Sequence, residues 1–252
     1  MTMRLLILSF LLSISVTSWG TSGKLYVIAV GVSDYAEIPD LKYCDSDASA
    51  IASLFNYSKQ PHEIVLLRNN EATKTTILLQ LTNFFSKAEA VDVVLFYFSG
   101  HGGKGFFCPY DAKSTNKNTL LTYDDLRKLL VGCKAKRQLL IADACNSGAI
   151  RISAPDTTVK REPGKELLFF LSSRNSQLSM ELPNIKGGVF TYFLLQGLKG
   201  GADSNRDRLI TSKELFDFVS PKVKEGTRGT QVPVMWGNFS DQMVFLDWRK
   251  IN

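Results

Sequence analysis

Two residues of this chain, His101 and Cys145, are of types that perform acyl transfer when held together. A cysteine attacks carbonyl carbon once a neighbouring base favours its thiolate. An imidazole titrates near neutrality, so it can take that proton and give it back. Both residues occupy the same kind of setting. The apolar run Val93-Val94-Leu95-Phe96-Tyr97-Phe98 has the length and composition of a buried strand and ends in Ser99-Gly100-His101-Gly102-Gly103. Gln138-Leu139-Leu140-Ile141-Ala142 repeats the pattern and ends in Asp143-Ala144-Cys145-Asn146-Ser147-Gly148. Small residues around each reactive side chain let the backbone turn sharply and approach a ligand. A parallel sheet discharges such strands at one edge, where α/β enzymes collect their reactive groups. Either residue alone reads as packing; the pair reads as a dyad. Negative charge developing on a substrate carbonyl needs fixed donors, and the backbone amides of Gly102 and Cys145 are the expected ones. The other histidine, His62, is expected at the start of a different strand, across the first helix from this edge.

The elements that must hold the dyad alternate in type. Strands are expected at 24–32, 64–67, 93–98, 137–143, 166–171 and 232–236, from short apolar and β-branched runs. Helices are expected at 45–55, 73–85, 123–130, 189–198 and 211–219, where apolar residues recur at helical spacing. Residues 103–119 read as a polar, glycine-containing loop interrupted by Phe106-Phe107-Cys108. Residues 151–165, with Pro155, Pro163 and the cations Arg151, Lys160, Arg161 and Lys165, read as an exposed linker. Strands alternating with helices specify a mostly parallel sheet covered on both faces.

Composition narrows the class. A chain of 252 residues buries a full core, and one α/β domain is expected over residues 21–252. The net charge of +6 is spread along the chain, which argues for a solvated surface and against nucleic-acid binding. Four scattered cysteines make no disulfide framework, and two histidines without a CxxC pair make no structural zinc site. Cys133, after an apolar helix, is expected as a buried small hydrophobe. At the start, Arg4 precedes the apolar run Leu5 to Val16, and Ser18-Trp19-Gly20 offers small residues for cleavage. Residues 1–20 are therefore expected to be a signal peptide and the mature protein to be exported, periplasmic or secreted, with no membrane association after the leader is removed.

Ser99-Gly100-His101-Gly102 and Asp143-Ala144-Cys145-Asn146-Ser147-Gly148 resemble the histidine and cysteine motifs of the caspase-like cysteine peptidases, in particular the metacaspase branch. The separation of the two residues is close to the roughly 50 residues of the caspase signature. The likeness continues in Leu41-Lys42-Tyr43-Cys44-Asp45-Ser46-Asp47, in Ser172 to Glu181, and in Gly188-Val189-Phe190-Thr191-Tyr192, and covers residues 24 to 236. It implies a caspase-like three-layer sandwich with a sheet of about six strands, divided into a large-subunit-like part at 24–150, the linker at 151–165 and a small-subunit-like part at 166–252. It also implies that Cys44, Asp47, Ser99 and Asp143 line the primary substrate pocket. Two carboxylates in a narrow pocket favour a cation, and an arginine gains bidentate hydrogen bonds there. The expected activity is a cysteine endopeptidase, a thiol hydrolase acting in proteolysis on protein or peptide substrates after Arg or Lys. Two other readings stay open: a catalytically silent caspase-like binding module, and a transpeptidase that resolves the acyl-enzyme with an amine. Read without the resemblance, Asp47 is also an ordinary first-turn helix acid facing solvent.

No cofactor is expected to be required, with calcium as the alternative. Calcium-binding members of the branch use carboxylates that the resemblance maps onto Asp111, Asp124 and Asp125. The fourth position is Ile152, which offers no oxygen. A second calcium candidate is Asp203-x-Asn205-x-Asp207 with Thr211 and Glu214, an EF-hand-like spacing whose sixth position, normally glycine, is Arg208. The alternative reading of that loop is a cap for the next helix through Thr211 or Ser212. In the family the linker region is cut during activation, and an Arg/Lys-specific enzyme could cut its own basic linker.

Overall fold

The computed structural model describes residues 23–144, 164–173 and 180–250. Six strands form the central sheet: β1 (Leu25–Gly31), β2 (His62–Arg68), β3 (Val93–Gly100), β4 (Arg137–Ala144), β5 (Glu166–Leu171) and β6 (Val234–Asn238). Their order is β6-β5-β4-β3-β1-β2, parallel throughout except for the antiparallel edge strand β6. Among the described residues there are five helices longer than one turn: α1 (Cys44–Asn56), α2 (Lys74–Lys87), α3 (Tyr123–Gly132), α4 (Val189–Gln196) and α5 (Ser212–Gly226). None of the described helices is long and apolar enough to cross a membrane.

The two faces of the sheet follow from the two-residue period of a strand. Tyr26, Ile28 and Val30 of β1, with Val94, Phe96 and Phe98 of β3 and Leu140 of β4, pack under Ile77, Leu81 and Phe84 of α2 and Leu126 and Leu130 of α3. The alternate residues Val27, Ala29, Leu95, Tyr97, Leu139 and Ile141 face Ile51 and Phe55 of α1, Phe190 and Leu194 of α4, and Leu215 and Val219 of α5. Burial from both sides explains why β1 and β3 read as unbroken apolar runs. Each fully buried side chain of this size contributes roughly 1.5–3 kcal/mol. The three layers match the expected architecture, and Cys133 is buried as expected.

Several expectations are corrected. The stretch read as a polar loop at 103–119 contains a small antiparallel ribbon, Gly102–Gly103 with Phe106–Phe107 and then Leu121–Thr122, pinned by Phe107 stacked on Phe98 with ring centroids 4.6 Å apart. Helix α5 runs through Pro221 to Gly226, because burial of Val219 and Val223 outweighs the backbone hydrogen bond that proline removes. Helix α4 ends at Gln196 and passes into a wider turn at Gly197–Gly201, broken by Gly200 at φ 106°. Two pairings had no sequence signal: Leu209–Thr211 with Val244–Asp247, and Glu181–Leu182 with Gly187–Gly188. Lys165, read as part of an exposed linker, donates from Nζ to the Cys133 carbonyl at 2.9 Å and so tends the carboxyl end of α3. Residues 1–20, and the linker cations Arg151, Lys160 and Arg161, lie outside the described residues.

Candidate active site

Strands β3 and β4 are in register so that Ser99 faces Asp143 and Gly100 faces Ala144. The residue directly after β3 is His101. The next residue in sequence after Ala144 is Cys145, which lies outside the described residues. Ala144 is fastened by the two residues just past β5: its N–H donates to Ser172 Oγ at 3.2 Å, and its carbonyl accepts from Ser172 Oγ and Ser173 Oγ, each at 3.3 Å. The end of β4 is thus fixed up to the peptide that precedes the cysteine.

His101 is held by groups that the sequence did not single out. Its backbone N–H donates to the Tyr35 hydroxyl at 2.7 Å, and the two rings lie 5.0 Å apart at 40°. Its Nε2 is 2.8 Å from the carbonyl of Pro39. A carbonyl only accepts, so this contact puts the proton on Nε2 and leaves Nδ1 as the basic nitrogen. Both partners come from the 32–41 loop after β1, which read only as an extended exit segment; a tyrosine and a backbone carbonyl carry no motif. Gly102 lies in the ribbon opposite Phe107. His62 pairs with Leu25 at the far end of the sheet and takes no part.

The four pocket candidates converge. Cys44 opens α1, and Gly31 lets that helix start close against β1: a Cβ on Gly31 would lie 2.1 Å from the Cys44 carbonyl oxygen. Asp47, one turn on, is buried rather than facing solvent. Its Oδ2 accepts from Gly188 N–H at 3.0 Å and, more weakly, from Ser99 Oγ at 3.5 Å. Asp143 Oδ2 accepts from the Thr191 amide at 3.1 Å and hydroxyl at 2.8 Å, at the start of α4. Since the Thr191 proton is committed to Asp143, the Tyr97 hydroxyl donates to Thr191 Oγ1 at 2.6 Å, completing a relay of polar groups inside the layer. A Cβ on Gly188 would lie 2.3 Å from Asp143 Oδ2 and 2.9 Å from Asp47 Oδ2, so both carboxylates face this glycine. Burial, and then the neighbouring Asp143 charge, push the Asp47 carboxyl up to about 9. Burial likewise pushes the Cys44 thiol well up, so it stays a neutral donor to Glu181 Oε1 at 3.4 Å. Glu181, Gly188 and Thr191 appeared in the sequence only as parts of motifs, without a role.

Among the described residues no group of three or more His, Cys, Asp or Glu side chains is arranged to hold a metal. Asp111 Oδ1 accepts the Lys74 amide at 2.8 Å, at the start of α2. Asp125 Oδ2 accepts the Thr122 amide at 3.0 Å and lies 3.4 Å from Lys74 Nζ, which also donates to the Asn118 carbonyl at 3.0 Å. Burial opposes ionisation of Asp125, but the Thr122 hydroxyl and amide, with the Lys74 ammonium, hold its carboxyl below the ordinary value. Asp124 pairs with Arg127 at the surface. The Lys74 ammonium thus pairs with Asp125, while Asp111 and Asp124 have other partners, and Ile152 is outside the described residues.

In the second loop the oxygens are taken by the chain itself. Asp203 accepts from the amides of Asp207 and Arg208, Asp207 from that of Leu209, and Asn205 from that of Asp207. Glu214 accepts from Ser204 and from the amide and hydroxyl of Thr211. This is the capping reading: Thr211 and Glu214 form a capping box for α5. Arg208 nonetheless makes the turn expected of glycine, with φ 67°, and Arg206 has φ 61°.

Comparison with known proteins agrees with this architecture. A crystal structure of a protein from Geobacter sulfurreducens resembles the chain with a TM-score of 0.64 at 18% identity, over 86% of this chain and 94% of that one, which speaks for the fold. No curated protein matches the chain. The family model described as the caspase domain, a peptidase family, matches residues 24–244. The chain belongs to the caspase-domain family, whose members act on proteins as cysteine peptidases.

Proposed function

We propose that the chain is an exported endopeptidase of the metacaspase branch that cleaves after Arg or Lys, with Cys145 as nucleophile and His101 as general base and acid. The observation that carries the dyad is the register of β3 and β4: Gly100 and Ala144 are paired, and each is followed directly by one of the two reactive residues. The Cys145 proton passes to His101 Nδ1, and the thiolate forms a C–S bond to the scissile carbonyl carbon. The amides of Gly102 and Cys145 receive the oxyanion. Collapse breaks the C–N bond as the imidazolium returns the proton to the departing amine. Water then hydrolyses the thioester with His101 as base, releasing the acid and restoring the thiol.

Basic specificity is supported by the two buried carboxylates, Asp47 and Asp143, that converge on Gly188, with Ser99 and Cys44 beside them. A guanidinium satisfies two carboxylates bidentately where an aspartate side chain would be repelled. No step of this proposal uses a metal: the dyad, the oxyanion donors and the pocket are all side chains and amides of this chain.

Fluorogenic peptides ending in Arg, Lys or Asp test the proposal. Wild type should release fluorophore from the Arg and Lys peptides only, and Cys145→Ala and His101→Ala should each lose about 10³-fold or more. Cleavage after Asp alone overturns the pocket; activity in Cys145→Ala overturns the dyad. Products joined to an added amine in place of free acids would reassign the enzyme as a transpeptidase.

A further inference from the structure

The start of α1 and the short ribbon formed by Glu181–Leu182 and Gly187–Gly188 hold each other by two carboxylates that cross in opposite directions. Helix α1 has no side-chain cap of its own at Tyr43. Instead Glu181, more than 130 residues along the chain, takes the amide of Tyr43 at 2.8 Å, the amide of Lys42 at 3.0 Å and the Cys44 thiol at 3.4 Å. Negative charge at a helix N-terminus is favourable, and uncapped amides there are costly. In the return direction Asp47, on the same first turn, accepts the N–H of Gly188 on the other arm of the ribbon at 3.0 Å. Each side therefore supplies an acceptor for the amides of the other.

We propose that Glu181 is a positioning residue for substrate specificity: its clasp on the α1 terminus sets Asp47 and the Gly188 peptide in place to receive the basic side chain. The clasp joins the part of the chain before residue 145 to the part after residue 163, so the pocket is assembled from both. Glu181 does not touch the substrate cation. It acts by fixing Cys44 and Asp47, one turn apart on α1, against the arm that faces them. Without it the Lys42 and Tyr43 amides lose their acceptor and, among the described residues, only Ser33 Oγ, on the Asp45 amide at 3.1 Å, still caps this turn, so Asp47 no longer meets Gly188 at a fixed distance. The ground-state hold on Arg or Lys then falls while the chemistry at Cys145 continues.

This rests on the basic pocket proposed above, so the test has one arm with substrate and one without. With an Arg-terminated peptide, Glu181→Ala should raise KM about tenfold, the loss expected for one hydrogen bond to a charged group, while kcat stays within about threefold of wild type. Glu181→Gln keeps one acceptor oxygen and should recover most of the KM. An unchanged KM in Glu181→Ala, or a fall in kcat alone, overturns the proposal even if wild type cleaves after Arg. The second arm is hydrogen exchange of wild type and Glu181→Ala, with Glu181→Gln as the intermediate case, and it needs no substrate. Exchange should rise together at 42–47 and at 187–188. A rise at 42–44 with 187–188 unchanged overturns the clasp. Failure of wild type to cleave after Arg or Lys instead removes the pocket, and the exchange arm still judges the clasp.

Discussion

The hydroxyl of Tyr35 accepts the backbone N–H of His101 at 2.7 Å, and the tyrosine ring packs against the imidazole with centroids 5.0 Å apart. One side chain thus fixes both the main chain and the ring plane of the proposed base. A Cβ on Gly100 would lie only 2.6 Å from the same hydroxyl, so the glycine before the histidine is what admits it.

Tyr35→Phe keeps the ring and withdraws the acceptor from the His101 amide. Leaving such a donor unsatisfied costs roughly 1–3 kcal/mol. The expected outcome is a fall in kcat of about tenfold with KM for an Arg peptide little changed, read by steady-state kinetics. Unchanged kcat would remove Tyr35 from the support of His101.

The raised carboxyl of Asp47 makes stability depend on pH in a definite direction. An unfolded aspartate loses its proton near 3.9, whereas Asp47 in the folded chain holds it to about 9. Between those values the folded form binds the extra proton, so stability is lost as pH rises from about 4 to about 9. Asp47→Asn removes this dependence: its thermal midpoint should gain on wild type between pH 5 and pH 8. In wild type, KM for an Arg peptide should fall as pH rises toward 9, because the cation needs the ionised form. A KM flat from pH 6 to pH 9 contradicts both the carboxyl and the pocket.

Gly188→Ala probes the meeting point of the two acids. The new Cβ would lie 2.3 Å from Asp143 Oδ2 and 2.9 Å from Asp47 Oδ2, so the carboxylates must shift. Cleavage after Arg should fall by about tenfold or more, at a stability cost of roughly 1–3 kcal/mol. Alkylation of Cys145 by iodoacetamide, which needs no pocket, should keep its wild-type rate. Wild-type kcat/KM in this variant would show that the basic side chain binds elsewhere.

Lys74 bridges α2 to Asp125 and the Asn118 carbonyl. Lys74→Met should lower the thermal midpoint by a few degrees, corresponding to about 1 kcal/mol. Millimolar calcium should change neither the midpoint nor the rate of wild type after chelator treatment. A calcium-dependent rise in either would overturn the metal-free proposal.

The sequence by itself determined the order of the six central strands and five helices along the chain, since apolar runs such as 93–98 and the helical spacing of Ile77, Leu81 and Phe84 are local signals. It also determined which residues end the two central strands, because Ser-Gly-His-Gly and Asp-Ala-Cys are contiguous. It left open whether Asp47 was a surface acid, and nothing in it paired Glu181 with Tyr43 or Tyr35 with His101. Those relations join residues far apart in the chain, and a hydrogen-bond acceptor has no periodicity to betray it. The tertiary structure alone decided them. Register sets Ser99 beside Asp143, packing of α1 on β1 at Gly31 turns Asp47 inward, and the return of the chain through α4 supplies the amides that the buried carboxylates require.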